Sequence, residues 1–460
     1  MLRKILSRNK HEGQAQHSAE PQAHQPAAGA RKSFDFKAFL KKRWPLIAII
    51  LIFALSMHIR LVGYYNPDGT QRWPWLRNVD SYNFLYDIED VVENGGIASR
   101  FDNLTLAPYG AERHGLGVGL YQYLTAYGYI AYNFFFPTPL EMFVAWFPPL
   151  IASLITIPAY FIGRILYDRK AGILTAFFMV FAPSIIARSL GGDPDSDAFV
   201  TFFPMLSIAL FLLAYKYFDK EKLFASKNVM LGVVNGLILG FFALSWSGYW
   251  FVFTLYLGFL VVKLLYDIAK HIKHKENVKR QIWKDVKAPA FLVGTMLVMF
   301  WVVTVPLIGS DFALDPFLQP IGMSSLFGSG IKSESGEFPN VYVSVAELQV
   351  GGQVKDVAIR SSGVDTAASV SRLPVELLLV LSPFMMTIFA LGYLGYSFYR
   401  RREHIDTLIF IGLWNIGMIY ASVVAIRFAI FLAPVFAICT GIFLSKLWKI
   451  ATGEDKVVGK

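Results

Sequence analysis

The stretch KKRWPLIAIILIFALSMHIRLV, residues 41–62, decides the fold. From Pro45 to Val62 it is an apolar run long enough to cross a bilayer, and Lys41, Lys42 and Arg43 stand at its start. Basic residues gather on the cytoplasmic side of membrane proteins, so the run is expected to enter the membrane from inside. The rest of the chain agrees. Of its 460 residues, 55% are hydrophobic, 16% aromatic and only 17% charged, where a soluble domain carries about a quarter charged. That balance excludes a string of soluble domains and points to an all-α polytopic membrane protein. The net charge of +10 comes from short basic clusters between apolar runs. That is a topology signal, so no nucleic-acid partner is expected. The single cysteine, Cys439, excludes a disulfide framework and a thiolate metal cluster.

Residues 1–43 are polar and basic, and His11 to Ala30 is rich in Gln, Ala and His. Such a stretch cannot bury a core and is expected to be a disordered cytoplasmic tail. No apolar segment follows the opening Met-Leu-Arg-Lys, so it does not read as a cleaved signal peptide. Further spans are predicted near 142–166, 171–188, 198–218, 228–246, 249–268, 288–308, 373–398, 407–426 and 428–448. The run 117–136 is settled by charge. If it does not span, the basic loops Asp168–Lys170, Lys220–Lys227, Lys270–Lys287 and Arg400–Arg402 all share the cytoplasmic side. It is therefore read as a surface or re-entrant helix packed through Gly115, Gly117 and Gly119. Ten spans with both termini inside result. They leave residues 64–116, 189–197 and 309–372 as loops on the outer face of the cell membrane, and 450–460 as a short polar tail after a 44–449 membrane domain.

The span centres carry almost no charge, which gives a proton or ion pathway little support. The informative charges lie at the outer boundary. In Arg188-Ser-Leu-Gly-Gly-Asp-Pro-Asp-Ser-Asp197, three carboxylates alternate within five residues. Carboxylates so spaced can ligate one hard divalent cation, or they can cap the helix that follows. Arg188 either binds a phosphate or marks the interface. Asp80 stands just past the first span, and Glu347 closes Ser344-Val-Ala-Glu347 in the long loop, where six other acidic residues are simply solvated candidates. Arg427 lies between two apolar runs at the outer face, where the positive-inside rule disfavours it, and so points to an anion. Carboxylates and two arginines on one membrane face suit a metal ion and a phosphorylated ligand with its tail in lipid.

These residues resemble the catalytic subunit of the oligosaccharyltransferases, in versions closer to the archaeal ones. Asp80, ahead of Tyr86-Asp-Ile-Glu-Asp-Val-Val-Glu-Asn-Gly95, is similar to the family's first acidic motif, and Asp195 and Asp197 to its Asp-x-Asp pair. Ser344–Glu347 resembles its Ser-Val-Ser-Glu motif, Trp246-Ser-Gly-Tyr249 its Trp-Gly-Gly-Tyr turn, and Arg427–Pro434 its late span. Five motifs in order cover about Pro45 to Trp448. There are two departures. A pair of spans expected before Glu347 is missing, and the family's Trp-Trp-Asp-Tyr-Gly pentapeptide, which reads the acceptor's Ser or Thr, does not occur in this sequence. The expectation is a part of a longer or split enzyme, with a partner chain supplying the soluble domain, or a short paralogue.

The resemblance implies a C-type glycosyltransferase (GT-C) bundle that moves an oligosaccharide from a polyprenyl (dolichyl-type) phosphate or diphosphate to Asn of an N-x-S/T sequon. It assigns Asp80 and Glu347 to the acceptor amide, and Asp80, Asp195, Asp197 and Glu347 to a Mn²⁺ or Mg²⁺ ion. Arg427 and Arg188 fall to the donor phosphate. Two other readings stay open: a polyprenyl-phosphate-sugar glycosyltransferase with a non-protein acceptor, and a non-catalytic subunit or transporter.

Overall fold

The computed structural model describes residues 36–64, 76–105, 107–219, 221–273, 278–314, 316–318, 352–424 and 428–454. The expected disordered tail before residue 36, Glu347 and Arg427 lie outside the described residues. The bundle belongs to one compact unit, Pro45–Lys460.

Among the described residues, nine helical stretches are long and apolar enough to cross a membrane. They are α1 (Phe36–Leu61), α4 with α5 (Leu140–Leu154, Thr156–Leu166), α8 (Asp197–Tyr217), α9 (Ser226–Ser245), α10 (Trp250–Lys273), α11 (Val278–Ile308), α14 with α15 (Val375–Val380, Pro383–Arg401), α16 (Ile405–Val424) and α17 (Ala429–Ala451). Their positions follow nine of the ten expected runs. The tenth, 171–188, differs: it is broken into α6 (Arg169–Val180) and α7 (Pro183–Ala187). Pro183 has no N–H to donate and pushes Ala182 into an extended conformation, φ −61° and ψ 126°. With 12 residues, α6 is about 18 Å long, short of a hydrocarbon core of about 30 Å.

The short α6 is held from both sides. A Cβ at Gly163 of α5 would stand 2.9 Å from the Gly172 Cα, and one at Gly441 of α17 would stand 2.8 Å from the Ala171 carbonyl. Only small residues let backbones approach this closely. At its N-terminus Asp168 caps α6 by accepting the Ala171 N–H at 2.8 Å. Asp168 also takes a hydrogen bond from Ser445 Oγ and an ion pair from Lys449 at 2.6 Å, so α6 and α17 are fastened there as well. The opposite end of α6 feeds the loop 188–196.

Between α1 and α4 the chain builds α2 (Val79–Glu93), a two-residue antiparallel pair β1 (Phe101–Asp102) and β2 (Ala111–Glu112), and α3 (Leu120–Phe135). With 16 residues, α3 is about 24 Å long and does not reach across a bilayer core. It buries Tyr121, Gln122, Thr125 and Ala126 and exposes Phe134, Phe135 and Phe136. Gly115 and Gly117 turn the chain ahead of the helix, with φ of +62° and +80°, and a Cβ at Gly115 would stand 3.0 Å from the Leu307 carbonyl of α11; Gly119 is the N-cap of α3. After the long loop, α12 (Val354–Ser361) and α13 (Val364–Ser371) precede α14.

Candidate functional site

The loop from Arg188 to Ser196 is threaded between three other pieces of chain. Gly191 donates its N–H to the Arg60 carbonyl at 3.0 Å and Gly192 donates to the Ala145 carbonyl at 2.9 Å. In return the Gly192 carbonyl accepts the Arg77 N–H at 2.8 Å. Gly192 has φ +78°, and a Cβ there would run into the Tyr64 ring, so only glycine fits. Next in line, Asp193 accepts a hydrogen bond from Ser81 Oγ at 2.9 Å. Ser81 and Asp80 form the first turn of α2, so one bond joins the first acidic segment to the second.

Of the three carboxylates that could cap the next helix, Asp193 does not. The N-cap of α8 is Ser196, and it makes no side-chain capping bond. Asp193 reaches across the fold because the loop, held at Gly191 and Gly192, leaves it facing α2. Asp197 opens α8, is 7% exposed, and accepts from Arg188 Nη1 at 3.2 Å. Thus Arg188 engages a carboxylate of the same loop. Asp195, between the two, is partly buried and takes a hydrogen bond from Ser196 Oγ at 3.1 Å. Burial, opposed by Ser196 and reinforced by the charge of Asp193, raises its pKa.

Arg188 and Asp197 also line a cavity of about 200 Å³, closed by Arg360 and Ser361 of α12 and by Ala429 to Phe431 at the start of α17. The chain that resumes just after Arg427 therefore borders the same cavity. Trp246, which ends α9, stacks on Phe431 with centroids 5.1 Å apart. A Cβ at Gly248 would strike that indole, which accounts for glycine in Trp246-Ser-Gly-Tyr249. The structure thus puts Asp195, Asp197 and Arg188 at one loop, and bonds Ser81, the neighbour of the exposed Asp80, to Asp193 of that loop. The two remaining expected residues, Glu347 and Arg427, lie outside the described residues.

Among the described residues, no three His, Cys, Asp or Glu side chains stand close enough together to hold a metal ion. The donor chemistry nevertheless fits a hard divalent cation, because the candidate ligands are all carboxylates. Asp195, partly buried beside Asp193 and with its pKa raised, is a negative charge that a cation would relieve.

A second acidic cluster lies in the first loop. Arg113 Nη1 donates to Asp90 at 2.6 Å, while Nη2 donates to Asp87 at 2.6 Å and Asp102 at 3.1 Å. Gln122 also donates to Asp87, Ser99 to Asp90 through both N–H and hydroxyl, and Thr105 and Tyr86 to Asp102. Burial pushes these carboxyls up, but at Asp102 the Thr105 and Leu104 bonds with Arg113 prevail and hold it well below the usual range. At Asp90 the two Ser99 bonds and Arg113 do the same. At Asp87 burial wins, and the pKa is raised. Sequence reading missed Arg113, whose signal was weak: Asp87 and Asp90 share one face of α2, but their partner lies beyond the hairpin. It also missed Arg60 at the end of the first span, which looks like an ordinary basic residue at a membrane edge.

The nine apolar helical stretches among the described residues, with a polar, carboxylate-bearing loop system at one end, define a multi-pass helical membrane protein. Residues 46–452 match the family described as Oligosaccharyl transferase STT3, N-terminal, and the chain belongs to that family. Among relatives, it is 24% identical over 293 residues to the dolichyl-phosphooligosaccharide-protein glycotransferase of Methanococcus voltae. That similarity covers 60% of this chain and 31% of the relative. The fold is similar to a crystal structure of the Archaeoglobus fulgidus oligosaccharyltransferase in complex with zinc and sulfate, at TM-score 0.63 and 18% identity over 88% of this chain and 50% of that one. It is also similar to the oligosaccharyltransferase AglB of the same organism bound to an inhibitory peptide and a dolichol-phosphate, at TM-score 0.58 and 19% identity over 92% and 53%. The expected GT-C bundle is therefore the fold. The chain spans about a third of the length of the Methanococcus relative and half that of the solved chains.

Proposed function

We propose that this chain carries the membrane part of an N-glycosylation enzyme, which moves an oligosaccharide from a polyprenyl (dolichyl-type) phosphate or diphosphate to Asn of an N-x-S/T sequon. The Ser81–Asp193 bond is the observation that supports the reading, because it ties the residue next to Asp80 to the loop of Asp195 and Asp197. An amide nitrogen is a poor nucleophile, since its lone pair is delocalised into the carbonyl. Asp80 and Glu347 accept hydrogen bonds from the amide hydrogens and so turn the nitrogen toward the sugar. Asp80, Asp195, Asp197 and Glu347 would hold Mn²⁺ or Mg²⁺, which when bound helps neutralise the leaving phosphate. Arg427 and Arg188 donate charge-assisted hydrogen bonds to that phosphate. The basic loops then face the cytoplasm and the site faces outward from the cell membrane.

The test is glycan transfer in detergent. The purified chain receives a lipid-linked oligosaccharide extract and an Asn-x-Thr peptide, with Mn²⁺ or with EDTA. Manganese-dependent glycopeptide supports the proposal. Transfer to lipid or glycan in place of peptide establishes the non-protein acceptor instead.

A further inference from the structure

The first span ends on a charge that the proposed chemistry does not use. Arg60, in the last turn of α1, is 0% exposed, and among the described residues no carboxylate pairs with it. A guanidinium taken out of water without a counter-ion is costly and persists only where its N–H groups are satisfied. Here oxygens alone satisfy it. Nε donates to Ser189 Oγ at 2.8 Å, Nη1 to Ser56 Oγ at 2.6 Å and the Ser56 carbonyl at 3.3 Å, and Nη2 to the Val180 carbonyl at 2.8 Å.

The partners tie the end of α1 to α6 and, through Ser189, to the acidic loop. Val180 is the last residue of α6, where open carbonyls and the negative end of the helix dipole favour a cation. Ser56 Oγ lies 2.8 Å from Ser153 Oγ of α4. Ser189 follows Arg188, and its hydroxyl donates onward to the Ile185 carbonyl at 2.6 Å. The Arg60 carbonyl itself accepts the Gly191 N–H. Arg60 therefore grips residues 189 and 191, directly before Gly192 and Asp193. A lysine at this position presents one nitrogen and cannot serve three directions in a plane.

We propose that Arg60 is a positioning residue. It sets where Asp193 and Asp195 stand against Asp80 at the head of α2, and through them the affinity for a divalent cation. The second half rests on the reading of those carboxylates given above. The full chain in detergent is titrated with Mn²⁺, with free Mn²⁺ read by electron paramagnetic resonance, and amide hydrogen exchange is followed at Gly191 and Gly192. Asp195→Asn should lose Mn²⁺. Arg60→Met and Arg60→Lys should each weaken it by about tenfold or more, Ser189→Ala by less, and all three should speed exchange at the two glycines. Unchanged exchange in folded Arg60→Met and in Ser189→Ala overturns the role of Arg60 whatever the metal does. If Arg60→Met does not fold, Ser189→Ala decides alone. Unchanged Mn²⁺ binding in Asp195→Asn overturns the cation reading and leaves the exchange result to judge Arg60.

Discussion

Two acidic clusters stand in this molecule, and they are treated in opposite ways. Around Arg113, three carboxylates share one guanidinium and every neighbour donates to them. In the loop 188–196, Asp193 and Asp195 repel one another, and Arg188 turns one N–H of its five to Asp197. The first arrangement is closed in its hydrogen bonds: each carboxylate has Arg113 and at least one further donor, Gln122, Ser99 or Thr105. The second carries negative charge that the described side chains leave only partly compensated. Carboxylate count therefore does not mark a site, and the degree of compensation does. Both clusters grow from the same helix: Ser81 at the head of α2 holds Asp193, and Asp87 and Asp90 a few residues on hold Arg113. The closed cluster anchors the helix that presents the open one.

Removing the cation from the closed cluster should have the largest effect. Arg113→Met strands three carboxylates in a site where the arginine side chain is only 8% exposed. Breaking a buried pair in this way costs about 3–5 kcal/mol, to be read as a fall in thermal midpoint in detergent. Asp80→Asn and Asp195→Asn should do the reverse. Each keeps the side chain's shape and should leave the midpoint at or above that of the parent chain. Peptide glycosylation should fall by about a hundredfold or more, as when a group that stabilises transition-state charge is removed. An Asp195→Asn chain that loses stability but keeps transfer would show that the open cluster is only another structural tie.

The pH response separates the clusters further. Asp90 and Asp102 have depressed pKa values, so their contribution is present above the ordinary carboxylate range and is lost as pH falls through it, below about 4. Asp87, raised by burial, acts the other way, and its share is lost as pH rises through its elevated pKa. Asp102 is held furthest from the ordinary range and sets the sign, so the parent chain should lose stability as the pH falls from 5 to 3. In Arg113→Met the buried carboxyls prefer the neutral form, and acidification over the same window should stabilise the chain. A slope of unchanged sign would mean that Arg113 is not what holds these groups ionised.

What the sequence made legible is what depends on local chemistry. Apolar length is read one segment at a time, so nine of the crossing helices were placed correctly from composition. The run 171–188 was read as continuous because α6 and α7 are both apolar and Pro183 is easily taken as part of a span; the break follows from backbone sterics at Ala182. The candidate carboxylates were legible as residue types, and their family resemblance ordered them. Their meeting was not legible, since it depends on Ser81 crossing to Asp193, 112 positions away. Arg60 and Arg113 stayed hidden for the same reason: each is an ordinary basic residue in its own segment, and only the packed fold makes it the centre of a network.

The smallest effect should come from a third kind of ion pair. Lys170 donates to Glu454 at 2.8 Å, but the glutamate side chain is 51% exposed and the lysine 30%. Water screens both partners, and holding two flexible side chains in one geometry offsets most of the attraction. Glu454→Gln should therefore shift stability by no more than about 0.5 kcal/mol, and that shift should vanish in high salt. Lys170 also lies 5.3 Å from the Trp448 ring, which keeps it docked when the glutamate is neutral. The three-way contrast then rests on surroundings alone. A carboxylate and a base in hydrogen-bond contact can stabilise strongly, hardly at all, or not as a closed pair, according to how much water and how many other donors reach them. A loss at Glu454→Gln as large as that at Arg113→Met would break this ordering and place the structural weight at the end of α6 bearing Asp168.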